Sequence, residues 1–161
     1  MGTTEESLRA KGELIMQRYK KIFASLDGGS TMRGVAEHAI GIAENDGAEI
    51  LFGHVIDSVP YEANGVDFAA LCQASAERIE EELSDLLDRA AKNDTVGDVN
   101  LKVAAGRINE TLLEQLIQPF EPDLVICGER GLSNLRYAFV GSVSTYLIRN
   151  CDCDVLVMKQ R

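Results

Sequence analysis

The sequence predicts an α/β fold: a single open, mainly parallel sheet of five strands with helices on both faces. Three observations point there. Short apolar runs of strand length, at residues 22–26, 48–57, 99–105, 124–127 and 155–158, alternate with stretches whose apolar residues recur at helical spacing. Several of these runs are almost continuously apolar, as strands covered on both faces must be. A length of 161 residues, with no internal repeat or low-complexity linker, suits one domain with a full core.

Residues 1–19 read as an amphipathic helical extension, with Leu8, Leu14, Ile15 and Tyr19 among charged residues, and residues 20–161 as the domain proper. Ile22-Phe23-Ala24-Ser25-Leu26 is the first strand. It runs into the loop Asp27-Gly28-Gly29-Ser30, where Ser30 or Thr31 is a candidate helix N-cap. The next helix carries Met32, Val35, Ala36, Ala39, Ile40 and Ala43 on one face and stops at Asn45-Asp46-Gly47. His38 on it reads as a solvated or edge residue. After the second strand, residues 58–66, with Pro60 and Gly65, form a loop.

The longest helix is expected from Asp67 to about Asn93, with Cys72, Ala76, Ile79, Leu83, Leu86 and Ala90 at 3–4 spacing. Glu80-Glu81-Glu82 on it reads as a solvated face, because consecutive helical residues diverge and cannot converge on a metal ion. Val99, Leu101, Val103 and Ala105 alternate as a third strand ending at Gly106. A helix from about Asn109 carries Leu112, Leu113, Leu116 and Ile117 and ends near Pro119. A fourth strand, a glycine-containing loop, a helix over residues 142–150 and a last strand complete the chain.

Composition excludes several classes of partner. A net charge of −10 argues against a broad nucleic-acid or anionic-membrane surface, since both need clustered Lys and Arg. No apolar run approaches the roughly 18 residues that span a bilayer. Met-Gly-Thr-Thr-Glu-Glu has no signal-peptide pattern, so a cytoplasmic location is expected. The four cysteines show no CxxC spacing; Cys151-Asp152-Cys153 is the one suggestive cluster, and all four read as ordinary buried or half-buried thiols. No metal site is expected.

The candidate site lies at residues 127–142. There a buried strand runs directly into Gly128, Gly131 follows, and Gly141-Ser142 opens a helix. Glycines let the backbone approach a ligand, and a helix start presents unpaired N–H groups and a favourable dipole, so the stretch suits an anion such as a nucleotide phosphate. The dinucleotide GxGxxG and the P-loop GxxxxGK[ST] are both missing, and Gly106 stands where a phospho-receiver domain carries its acceptor Asp. In an open parallel sheet ligands bind beyond the carboxyl ends of strands at the switch in strand order.

The pattern Gly128-x2-Gly131-x9-Gly141-Ser142, after a strand preceded by Pro122-Asp123, resembles the ATP-binding branch of the universal stress protein (UspA-like) family. Lys20-Lys21-Ile22 leading to Asp27, His54-Val55-Ile56-Asp57, and Gly141-Ser142-Val143 followed by Val155-Leu156-Val157 extend the similarity over residues 20–159. The resemblance implies strand order 3-2-1-4-5 of the adenine-nucleotide α-hydrolase-like kind, with ATP, with or without Mg²⁺, across the first and fourth strands. By similarity Asp27 and Val55 contact the adenosine part, with the backbone around Ser25 nearby. Gly128, Gly131, Gly141, Ser142 and Val143 surround ribose and phosphates. On charge alone, Arg130 or Arg136 could offset that of the phosphates. The resemblance also implies a regulatory homodimer in the stress response, joined through the last strand at residues 154–159. Two alternatives stay open: a slow ATP hydrolase or phosphotransferase, and a protein-interaction module that binds no nucleotide. The chain offers no Walker lysine, no paired carboxylates at metal spacing and no histidine near the loop, so no catalytic residue is named.

Overall fold

A computed structural model describes residues 18–61, 63, 65–129 and 141–159. Five parallel strands are hydrogen-bonded in the order β3-β2-β1-β4-β5: β1 (Lys21–Leu26), β2 (Glu49–Asp57), β3 (Val99–Gly106), β4 (Leu124–Gly128) and β5 (Asp154–Met158). The expected order therefore holds. Side chains alternate across the sheet with period two, which divides the apolar residues of the middle strands between two cores. Ile22, Ala24, Leu26, Ile50, Phe52, Leu124 and Ile126 face one way. Phe23, Leu51, Val55, Val125 and Cys127 face the other.

The first core is covered by α1 (Met32–Asp46), α2 (Phe68–Glu82) and α3 (Ser84–Ala91). On α1 the six apolar residues expected to face inward are all buried, and His38 is exposed. Gly47 ends that helix in the left-handed region, at φ 73°, and its N–H donates to the Ala43 carbonyl at 2.8 Å. The one long helix expected from Asp67 to about Asn93 is instead broken at Leu83, which leaves helical geometry at φ −103°, ψ 9°. Ile79, Leu83 and Leu86 are all buried, so the break keeps both pieces on the core where a straight rod would leave it. Cys72 and Ala76 are only half-buried, and Glu80, Glu81 and Glu82 are exposed as expected. Arg33 pairs with Asp85 and Arg89 with Glu44, bracing α1 against α3 at the surface.

The second core is covered by α4, in three runs (Ile108–Thr111, Leu112–Ile117, Gln118–Phe120), and by α5 (Ser142–Asn150). The middle run of α4 is a wider π-helical stretch, with the Gln118 N–H reaching the Leu113 carbonyl. Pro119 has no N–H to donate and its ring crowds the carbonyl four residues back, so a widened turn ahead of it relieves both problems. It also buries four of the six residues in that run, Leu112, Leu113, Leu116 and Ile117. Helices on both faces make this a doubly wound α/β domain.

Ahead of β1, Tyr19 packs on the first core without being helical, and residues 1–17 of the expected extension lie outside the described residues. The Tyr19 N–H donates to Asp46 Oδ2 at 2.8 Å and its hydroxyl to Asp154 Oδ2 at 2.8 Å. Asp123 of the Pro122-Asp123 pair accepts the N–H groups of Lys20 and Lys21 at 2.9 and 3.1 Å, which fixes β1 beside β4. Among the described residues no helix is long and apolar enough to cross a membrane.

Candidate functional site

At the carboxyl ends of β1, β2 and β4 the chain leaves a cavity of about 360 Å³. It opens between α4 and the start of α5, because β1 continues to α1 on one face while β4 continues to α5 on the other. Ser25, Asp27, Val55, Gly128 and Val143, all singled out from the sequence, line it together. Gly141 and Ser142 stand just outside its lining, in the backbone immediately before Val143. Arg130, Gly131 and Arg136 lie outside the described residues.

Asp27 is held on two sides. Its Oδ1 accepts the Gly29 N–H at 2.9 Å, the Asx geometry of a tight turn, and its Oδ2 accepts the Thr31 hydroxyl at 2.7 Å. Of the two N-cap candidates, Ser30 and Thr31, Thr31 stands at the N-cap of α1, but its hydroxyl makes no capping bond and holds this carboxylate instead. A Cβ at Gly128 would meet Thr31 Oγ1 at 2.5 Å, so the bare backbone at the end of β4 is what lets Thr31 reach Asp27. Gly28 adopts φ +72°, a left-handed turn conformation that suits glycine, and a Cβ there would come within 3.2 Å of both His54 and Arg78.

His54, which the sequence marks only within the ending of the second strand, is a wall of the cavity. Its Nδ1 lies 2.7 Å from the Leu26 carbonyl. A carbonyl only accepts, so Nδ1 carries the hydrogen and, in the neutral ring, Nε2 is the acceptor. Asp57 also lines the cavity, with Oδ1 taken by the Val59 N–H at 3.1 Å. Ile108 and Leu112 of α4, with Pro60 and Tyr61 from the turn after β2, supply an apolar wall. The carboxyl-end rule could have flagged His54 and Asp57. Ile108, Leu112 and Tyr61 come from elements whose approach only the fold decides.

The glycine loop is closed by backbone bonds. The Gly141 N–H donates to the Glu129 carbonyl at 2.8 Å, and the Glu129 N–H donates to the Met158 carbonyl at 2.7 Å on β5. Gly141 stands at the N-cap of α5 and has no side chain to cap it, while Ser144 Oγ turns back to the Gly141 carbonyl at 3.0 Å. The first turn of α5, which brings Val143 into the cavity lining, carries the N–H groups and positive dipole end that favour an anion.

Residues 18–159 match the universal stress protein family. The chain belongs to that family. A universal stress protein of Staphylococcus aureus (strain USA300) is 31% identical over 144 residues, covering 89% of this chain and 86% of its own. The solved structure of universal stress protein UspA from Lactobacillus plantarum superposes with a TM-score of 0.73 at 22% identity, covering 88% of this chain and 98% of its own. A universal stress protein solved in complex with cAMP superposes with a TM-score of 0.62 at 20% identity, over 88% of this chain and 97% of its own. At such identities the structural likenesses concern the fold of this stress protein.

Proposed function

We propose that this universal stress protein binds an adenine nucleotide, ATP by preference, in the cavity at the ends of β1 and β4, and works as a regulatory homodimer in the stress response. The observation that carries the reading is one cavity bordered by two unlike surfaces. Val55, Ile108, Leu112 and Tyr61 offer an apolar wall for a base, and the first turn of α5, whose N-cap residue Gly141 has no side chain, offers N–H groups for phosphates. Asp27, oriented by Gly29 and Thr31, keeps carboxylate lone pairs for a sugar hydroxyl or an exocyclic amine. The family relative solved with cAMP supports the class of ligand. Gly131 by resemblance and Arg130 by its charge complete the proposed site, and Mg²⁺ is an expected companion of the phosphates.

The proposed dimer uses β5. That strand is a sheet edge whose Val155, Leu156, Val157 and Met158 are half-buried in the single chain, so a second copy would cover unpaired backbone and apolar surface at once.

Thermal unfolding with and without ATP and Mg²⁺ tests the nucleotide reading. At a ligand concentration of 100 Kd the expected stabilisation is about 2.7 kcal/mol. For a chain of this length that raises Tm by about 5–10 °C. Ser142→Glu is the control. An acidic residue in the first turn of a helix stabilises it, so the variant folds at least as well as the parent, yet its carboxylate repels phosphate and removes the shift. No shift in the parent protein would leave the interaction-module alternative standing.

A further inference from the structure

At the opposite end of the sheet from the cavity, ahead of β4 and β5, Cys151 and Cys153 line one groove with Leu113, Ile117 and Pro122. Both cysteines are half-buried, and both rest on the apolar cluster that contains Cys127. The cause is local. Helix α5 closes at Cys151, whose N–H donates to the Leu147 carbonyl at 2.9 Å. The chain then bends through Asp152 and Cys153, and β5 begins only at Asp154. Two side chains separated by one residue thus line the same groove and rest on the same apolar cluster. Paired thiols in a groove open to solvent are what thiol–disulfide exchange requires, because the second sulfur must reach a mixed disulfide without large backbone movement.

We propose that Cys151 and Cys153 form a redox-modification site, a dithiol that a low-molecular-weight disulfide converts to an intramolecular Cys151–Cys153 bond. One protein thiolate attacks the reagent's S–S bond, forms a mixed disulfide and expels the first reagent thiolate. The other cysteine then attacks the protein sulfur of that mixed disulfide and expels the second. The two protons of the dithiol end on the two released thiols; the protein loses two electrons and the reagent gains them. A bridge across a single intervening residue is strained and exposed, which places it among readily reversed disulfides.

The surroundings set the rate. Glu121 at the end of α4, Asp123 ahead of β4, and Asp152 and Asp154 of the same turn surround the pair, with Cys127 of β4 next to Cys151. Burial first, then Cys153 and Asp152, push the Cys151 thiol up to about 11; burial, then Asp123, Asp154 and Asp152, raise Cys153. Thiolate is therefore scarce at neutral pH, and oxidation should accelerate as the pH rises from 7 to 9.

The test incubates the full chain with oxidised glutathione, quenches in acid, blocks free thiols and digests with trypsin. Residues 150–159, between Arg149 and the next cleavage at Lys159, carry both cysteines on one peptide. The expected product is that peptide about 2 Da lighter and resistant to alkylation, from a chain that stays monomeric on a non-reducing gel. Cys151→Ser and Cys153→Ser should each stop at a glutathione adduct on the remaining cysteine. A stable adduct on the unaltered protein, a bond to Cys72 or Cys127, a bond between chains, or four unoxidised thiols at pH 9 would each overturn the proposal.

Discussion

At Gly53 a hydrogen is all that the packing allows. A Cβ there would lie 2.2 Å from Phe23 Cζ and 3.3 Å from Leu116 Cδ1, and Phe23 is fully buried in the second core. Gly53→Ala should therefore destabilise the fold by about 1–3 kcal/mol, read as a lower urea midpoint with unchanged slope. Thr31 illustrates a second kind of dependence. Thr31→Val keeps the shape against Gly128 but removes the donor to Asp27, a hydrogen bond to a charged group worth about 1.5–3 kcal/mol. The variant should fold with a reduced urea midpoint. Calorimetric titration should show weaker ATP binding, because the Asp27 carboxylate is no longer held in one orientation. Unchanged affinity would mean that Asp27 does not face the nucleotide.

At the scale of the element, helix α4 ends on a residue in an unfavourable conformation. Glu121 adopts φ 53°, in the left-handed region, so that its N–H can reach the Ile117 carbonyl at 3.0 Å and the chain can turn into β4. A side chain there costs about 1–2 kcal/mol, and glycine would relieve it at a smaller entropic cost in the unfolded chain. Glu121→Gly should stabilise the protein by up to about 1 kcal/mol in a urea titration. The π-helical run Leu112–Ile117 of the same helix shows how local chemistry and packing combine. The proline was visible in the sequence. That its effect would be a widened turn which brings Leu112 to the cavity was not, because a helix can also end or kink there.

At the scale of the whole molecule, the contacts between Arg18, Tyr19 and Asp154 join the start of the domain to its last strand. The Tyr19 hydroxyl, with Arg18 also beside it, holds the Asp154 carboxyl below its ordinary value. Burial, and then the bond to Asp154, raise Tyr19 above its ordinary value. A depressed acid contributes stability above its unfolded pKa of roughly 4 and loses it as the pH falls. A raised tyrosine contributes below its unfolded pKa of about 10 and loses it as the pH rises past the folded value. Tyr19→Phe should therefore flatten the alkaline fall in stability above about pH 10 and lessen the acid fall, as read from urea midpoints across pH. Glu44, held below the usual carboxylate range by its bond to Arg89, adds to the acid limb in the same direction.

What the sequence determined by itself was the architecture and the strand ends that border the cavity. The inward residues of α1, the strand cores and the start of α5 at Ser142 were legible because burial in an α/β sheet leaves periods of two and of three to four residues in the chain. Four proposed site residues, Ser25, Asp27, Val55 and Gly128, line one cavity because strand ends in a parallel sheet converge by construction, and Val143 joins them from the start of α5. Tertiary structure decided the rest. It sent the hydroxyl of the N-cap residue Thr31 to Asp27, put His54 and Leu112 into the cavity wall, broke the long helix at Leu83, and set Cys151 and Cys153 in one groove. Each of these depends on how close two separate pieces of chain approach or how sharply one bends, and no periodicity along a single segment records either.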